Sequence, residues 1–249
     1  MRYFAEISYD GSAFHGWQIQ PNACSVQEEI QTKMERILQI PIQVTGCGRT
    51  DTGVHASQFF LHFDADLDLD SDFVYTMNQV LVPEIAVHNL WLCNEEMHAR
   101  FDAKSRSYRY KLHNAKSPFH RHVSYYFRPE LDLEIMNAGA NVIAGHTHFD
   151  AFCKSRTDNK TDICRIDHCR WIKDGHRLEF EVTADRFLRN MVRAMVGTLL
   201  LVGQGKLSLD ELDNILQSRK RSNAGESVPA HALFLEKVEY DQTTWRKVG

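Results

Sequence analysis

Hydrophobic and polar positions divide the chain into short alternating runs and longer helical ones. Residues 2–10 alternate and are rich in aromatic and branched side chains, which predicts a strand, with Asp10-Gly11-Ser12 as the turn that ends it. Phe14 to Gln18, with Gly16 and Trp17, reads as an aromatic loop that Pro21-Asn22 continues. Ser25 followed by Glu28 has capping-box spacing. Val26, Ile30, Met34, Ile37 and Leu38 then recur at helical spacing, so a helix is expected to about residue 38. The branched run Gln43-Val44-Thr45 and the apolar run Phe59-Phe60-Leu61 predict strands on either side of a glycine-rich loop. An amphipathic helix over 71–82, stopped by Pro83, and a strand over 85–92 complete the order β-α-β-β-α-β, that of a ferredoxin-like unit.

A second set of elements begins near Ala103. Residues 105–113 alternate with period two, Tyr108, Tyr110 and Leu112 on one face and Arg109 and Lys111 on the other. There follow a helix over 133–143 closed by Gly145, a mostly polar loop over 146–160, and strands over 162–173 and 176–183 joined at Asp174-Gly175. A long apolar helix is expected over 187–202, then a second capping box at Ser208 and Glu211, a loop over 222–230 and a closing strand over 233–240. The pattern implies an α+β protein of two lobes, 1–103 and 104–249.

Composition adds exclusions. At 249 residues, 43% hydrophobic and 25% charged, the chain has ordinary globular usage. No apolar run reaches the roughly 18 residues of a membrane span, and Met1 to Glu6 meets a charge at once rather than a signal-peptide core, so a cytoplasmic protein with no membrane partner is expected. None of the six cysteines forms a Cys-x-x-Cys pair, which argues against a zinc ribbon and for free thiols. The net charge of −4 argues against a nucleic-acid partner, but its distribution does not. Asp64, Asp66, Asp68, Asp70 and Asp72 gather negative charge in one stretch. Between Arg100 and Arg128 a run of Lys and Arg is broken only by Asp102 and can hold phosphates.

The candidate chemistry centres on Gly46-Cys47-Gly48-Arg49-Thr50-Asp51-Thr52-Gly53-Val54-His55-Ala56. Three glycines within eight residues exclude a helix or strand interior and imply a tight loop that presents Asp51. An arginine two residues away favours the ionised carboxylate, ready as a nucleophile, a base or a metal ligand. The alternative is a structural Asx-turn with a surface ion pair.

Residues 48–56 resemble the Gly-Arg-Thr-Asp-x-Gly-Val-His signature of the tRNA pseudouridine synthase A family. The likeness continues in order through Tyr9-Asp10-Gly11-Ser12, Gly16-Trp17-Gln18, Ser25-Val26-Gln27-Glu28, His98-Ala99-Arg100-Phe101, Tyr108-Arg109-Tyr110 and Phe187 to Arg193, so it spans nearly the whole chain. It implies two RRM-like lobes sharing a mixed, mainly antiparallel sheet with helices on one side and a central basic cleft, in a homodimer. It also implies isomerisation of uridine to pseudouridine at positions 38 to 40 of the tRNA anticodon stem-loop, with no cofactor and no metal. Asp51 would be the nucleophile. Arg49 would hold it ionised, fill the gap left by a flipped base or bind its phosphate. Tyr108 would lie beside the base. Arg189 and Arg193, at i and i+4 of the expected helix, would flank the site, and Lys104, Arg106, Arg109 and Lys111 would be candidates for phosphate contacts. Cys47, Ser57-Gln58 and Ala232 depart from the family's usual residues without touching Asp51, Arg49 or Tyr108.

Other motifs fail on their own terms. Asp64-x-Asp66-x-Asp68 has Leu69 where a calcium loop needs glycine and Tyr75 where it needs glutamate. The same aspartates suggest an aspartate-nucleophile phosphatase, but no downstream magnesium ligands can be placed. His146-x-His148-x-Asp150 lacks a fourth ligand, and there is no phosphate loop. The competitors to an RNA-modifying isomerase are a non-catalytic RNA-binding module, which would not require Asp51, Arg49 and Tyr108 together, and a magnesium phosphatase using Asp64 and Asp66.

Overall fold

The structure is a computed structural model that describes residues 1–154 and 161–248. It is an α+β fold whose strand pairing is mixed and mainly antiparallel. Two compact units are present, Met1–Lys104 with Phe234–Gly249, and Ser105–Leu233.

In the first unit, β1 (Arg2–Tyr9), α1 (Val26–Leu38), β2 (Thr45–Gly46), β3 (His55–Asp64), α2 (Ser71–Val80) and β4 (Ile85–Cys93) follow the expected order. β1 lies between β3 and β4, antiparallel to both, and the two-residue β2 pairs with the far end of β3. The start of α1 is fixed by Ser25, whose hydroxyl accepts from the Glu28 N–H at 3.2 Å. α2 ends at Val80, two residues short of the expected stop, because Leu81 is already extended.

β1 and β3 are buried on both faces, so consecutive Tyr3, Phe4 and Ala5 are all at most 1% exposed. On one face Tyr3 stacks on Phe63, and Phe63 meets Phe73 of α2. On the other, Phe4 and Phe60 are covered by Tyr240 and Trp245. Those two residues flank the tight approach from β9 (Leu233–Glu239), parallel to β3, to β10 (Arg246–Lys247), which pairs with the outer edge of β4.

The second unit is built on β5 (Ser105–His113), β7 (Ile166–Asp174) and β8 (Arg177–Ala184), an antiparallel sheet with β8 in the middle. The two-residue β6 (Tyr125–Tyr126) runs parallel to β5. α3 (Leu133–Ala144), α4 (Met191–Gly203) and α5 (Leu209–Ser218) pack together, α3 also lying on β7. All of α4 except Arg193 and Leu201 is buried, which accounts for its apolar run. No helix among the described residues is long and apolar enough to cross a membrane. Ser208 and Glu211 form both halves of the capping box.

Three expectations need correction here. The helix expected over 187–202 begins only at Met191, because Asn190 takes a left-handed conformation, φ 66°, that interrupts any turn before it. β7 begins at Ile166 rather than at residue 162, after an irregular segment in which Arg165 N–H is held by Asp185. The loop expected to be mostly polar over 146–160 contains a short 3-10 turn, Asp150–Phe152, with Phe149, Ala151 and Phe152 fully buried; residues 155–160 lie outside the described residues. The cysteines are thiols outside any disulfide, five of them buried, and burial pushes the Cys93, Cys164 and Cys169 thiols up to about 12.

Two stability outcomes follow. Buried Thr198 donates to the Ala194 carbonyl at 2.8 Å and accepts from the Gly225 N–H at 3.0 Å. Thr198→Val keeps the volume but strands that N–H, and is expected to cost about 1–3 kcal/mol in urea unfolding. His62 is 6% exposed, and its Nδ1 accepts from the Ala99 N–H at 3.1 Å. Burial first, then the Arg2 and His98 charges, lower its pKa to about 4, against the weaker pull of Asp64 and Asp102. The unfolded chain therefore takes up a proton near pH 6.5 that the fold refuses. Stability contributed by neutral His62 is full above that pH and is lost as pH falls from about 6.5 towards 4. His62→Asn, which keeps an acceptor, is expected to flatten the change in unfolding midpoint between pH 7 and pH 5.

Candidate active site

Asp51 stands in an irregular loop between β2 and β3, so the regular strand ladder does little to fix it. A second loop, residues 10–18, does that instead. Ser25 begins α1, and the first turn of that helix holds the second loop: Val26 N–H donates to the Gly16 carbonyl at 3.2 Å, and Gln27 N–H to the Trp17 carbonyl at 3.0 Å. The held loop grips the Asp51 backbone from both sides. Trp17 N–H donates to the Thr50 carbonyl at 3.3 Å, and Gly53 N–H to the Phe14 carbonyl at 3.3 Å. Within the loop Val54 N–H closes a turn on the Asp51 carbonyl at 3.1 Å.

Glycine is required on each side of this contact. Gly16 has φ +89°, and a Cβ there would lie 2.3 Å from the Thr50 carbonyl oxygen and 3.1 Å from the Asp51 carbonyl carbon. Gly53 has φ +78° where the chain turns into β3. Side chains complete the clamp. The Thr50 hydroxyl meets the Tyr9 hydroxyl at 2.9 Å in a buried pair. Trp17, 2% exposed, stacks on Phe59 with centroids 4.2 Å apart. His55 is 2% exposed, with Nδ1 3.2 Å from the Gly11 nitrogen, which donates to it, and 3.1 Å from Asp10 Oδ1; its ring stacks on Phe234. Asp51 is left half-buried and Arg49 exposed, so the carboxylate is presented rather than enclosed.

Sequence reasoning singled out Asp51 and Arg49 but gave no task to Tyr9, Gly16, Trp17 and His55, which surround the Asp51 loop. The available signal was the pair of glycines in an aromatic loop, since Gly11 and Gly16 within six residues imply close backbone approach.

The remaining candidates divide between the units. Lys104, in the first, is exposed and pairs with Asp241 at 3.3 Å. In the second, Tyr108 and Tyr110 of β5 differ. Tyr110 is fully buried and donates to the Pro229 carbonyl at 2.8 Å, and burial raises its pKa. Tyr108 is half-buried, with its ring edge-on to Phe187 at 5.0 Å. Arg106 donates to the Asp185 carbonyl at 2.9 Å. Arg109 is balanced by Glu179 at 2.9 Å and Glu181 at 3.1 Å, so a phosphate would have to compete with two carboxylates. Arg193, in the first turn of α4, donates to the Val228 carbonyl at 2.7 Å. Arg189 is exposed in the turn before α4, so the shared helix face expected for Arg189 and Arg193 does not form.

The discarded motifs have structural partners. Asp64 is bound by both forks of Arg2, each at 2.8 Å, which holds its carboxyl below the usual range and ties up the group a phosphatase would use. His146 pairs with Asp213 and His148 with Asp162. Among the described residues no group of three or more His, Cys, Asp or Glu is placed to hold a metal ion.

A half-buried carboxylate on a clamped loop, with an exposed arginine two residues before it, is a candidate catalytic centre on an α+β scaffold. Residues 140–241 match the family model described as tRNA pseudouridine synthase. Over its length the chain is 43% identical to tRNA pseudouridine synthase A of Parabacteroides distasonis, covering 97% of this chain and 96% of that one. It is 44% identical to the same enzyme of Bacteroides fragilis, with 97% of each covered, and 36% identical to that of Bacillus subtilis, with 97% and 100% covered. The chain belongs to the tRNA pseudouridine synthase A family and is an enzyme of the isomerase class.

Gly16→Ala tests the clamp. The added methyl meets Thr50 at a φ that L-residues resist, so stability is expected to fall by at least about 1 kcal/mol. Turnover should fall further than thermal unfolding alone accounts for, since a shift of about 1 Å in a reacting group can cost on the order of 100-fold. Comparing kcat below the melting transition with the melting temperature separates the two.

Proposed function

We propose that this chain converts uridine to pseudouridine in tRNA, at positions 38 to 40 of the anticodon stem-loop, with Asp51 as the nucleophile. The observation that carries the reading is the clamp on the Asp51 backbone, together with membership of the family. A backbone fixed before substrate arrives leaves only the Asp51 side chain to be oriented for attack. It attacks C1′, releasing uracil through N1, or adds to C6. Either route turns the base, joins C5 to C1′, removes the C5 proton while N1, freed from the sugar, takes one up, and returns the carboxylate. The product is an isomer, so the step consumes no oxidant, reductant or external atom, and no cofactor or metal is called for.

The reacting uridine must leave its stack, at a cost of about a few kcal/mol. Phosphate contacts offset this cost, and Arg49, Lys104, Arg106, Arg109, Arg189 and Arg193 are assigned to the RNA. Tyr108 is assigned to the base, where an aromatic face stacks on uracil and a hydroxyl assists proton removal from C5. The working form is read as a cytoplasmic homodimer.

Asp51→Ala is the direct test. Product analysis of tRNA is expected to show turnover reduced by at least about 10³-fold, with an unchanged circular dichroism spectrum and with tRNA still bound. Wild-type-like turnover in that variant would remove Asp51 as the nucleophile. Binding without product in the wild type would leave an RNA-binding module instead.

A further inference from the structure

Beyond the residues given roles at the proposed site, the second unit carries a basic and aromatic corner at the far end of the Lys and Arg run. β5 runs from Ser105 to His113, and Tyr108 to His113 is five residues, about 17 Å of strand. The chain past that end, from Asn114 to Arg128, contains no Asp or Glu. Its turn exposes Lys116, Phe119, Arg121 and His122, and Arg177, at the start of β8, is exposed beside it. The corner is built rather than loose. Asn114 N–H donates to the His176 carbonyl at 3.1 Å, and Val123 N–H to the His120 carbonyl at 3.1 Å.

Two features separate this corner from an ordinary solvated surface. Among the described residues neither Arg121 nor Arg177 is paired with a carboxylate. Arg121 donates to His122 Nε2 at 2.7 Å and Arg177 to His120 Nε2 at 3.3 Å, although Asp174 stands opposite Arg177 in the strand register. Both guanidiniums thus keep their charge uncompensated, in contrast to Arg109 on the same sheet. Phe119 is 88% exposed, follows Pro118 and is steadied by its N–H to the Ser117 hydroxyl at 3.3 Å. One exposed phenylalanine alone signifies nothing. Standing among uncompensated cations, it matches a surface that tracks a phosphate backbone and stacks an unpaired base.

We propose that Lys116, Phe119, Arg121 and Arg177 form a second RNA contact, which grips the tRNA backbone away from the reacting uridine while Phe119 stacks on an unpaired base. This rests on tRNA being the substrate. The contact makes the enzyme measure the body of the tRNA as well as the uridine it changes.

The test uses the full chain as an Arg121→Ala/Arg177→Ala double variant and, separately, Phe119→Ala, each checked for unchanged melting. Binding of full-length tRNA is measured against salt, and turnover is measured on full-length tRNA and on an isolated anticodon stem-loop. In the double variant the slope of log affinity against log salt should become shallower by roughly 1.4 to 1.8, two released phosphate contacts at about 0.7 to 0.9 each. KM for tRNA should rise several-fold with kcat unchanged, and stem-loop turnover should stay at the wild-type level. Arg121→Lys/Arg177→Lys should restore the slope. Phe119→Ala should weaken tRNA binding about fivefold or more without altering the slope. An unchanged slope in the double variant overturns the proposal and makes the corner a surface for something other than RNA. Equal losses on stem-loop and tRNA overturn it as well. If the wild type converts neither RNA, the substrate reading fails, and the salt slope with tRNA still decides the contact.

Discussion

The first unit's site depends on one close approach, the backbone of Gly16 against that of Thr50 and Asp51. The Trp17 N–H to Thr50 carbonyl bond lies beside it, and the Gly53 N–H to Phe14 carbonyl bond holds the other side of Asp51. The N-terminus of α1 holds Gly16 and Trp17 by two backbone hydrogen bonds, and Trp17 in turn holds Thr50. Ser25, whose hydroxyl starts that helix, is therefore linked to the carboxylate through a short series of backbone contacts. The irregular loop behaves as an extension of a helix and a sheet. That is what a reacting group needs, because positioning is worth most when it is complete before substrate binds.

A clamp of this kind needs a sheet that does not shift, and the first unit secures its sheet by covering both faces. Helices alone would cover one. Tyr240 and Trp245 close the other over Phe4 and Phe60, so most of β1 and β3 is buried. One consequence is that polar groups on those strands are enclosed. His62 is kept neutral by that enclosure and serves the fold as an acceptor for Ala99. His55 lies equally deep, between Gly11, Asp10 and Phe234, next to the clamp itself.

Much of this was legible in the chain, and the failures have identifiable causes. β5 was readable to the residue because its sequence alternates, and Tyr110 and Leu112 are buried where Arg109 and Lys111 are half-exposed. α1 and α5 announced themselves through Ser25 and Ser208, because a cap is a local interaction. The start of α4 was misplaced because apolar content continues through Phe187 and Leu188, while the break is a single left-handed Asn190 that no periodicity reveals. β10 and the cover by Trp245 were invisible because two-residue pairing and long-range aromatic contact leave no periodic trace. Asp51 and Arg49 stood out through their motif. The residues that hold Asp51 did not, since backbone-to-backbone contact between distant loops is recorded only as glycine.

The charge of the chain shows why a sum misleads where a partition does not. A net charge of −4 suggests a protein indifferent to phosphates. Yet Asp64 is spent on Arg2, and Glu179 and Glu181 on Arg109. Carboxylates held in this way present little field to an approaching polyanion, because each is already balanced at contact distance, whereas Arg121 and Arg177 keep theirs. What an RNA meets at each point is the local residue after internal pairing, and at physiological salt it feels only charges within about 8 Å. A mildly acidic chain can therefore hold a nucleic acid wherever its internal pairing leaves cations over.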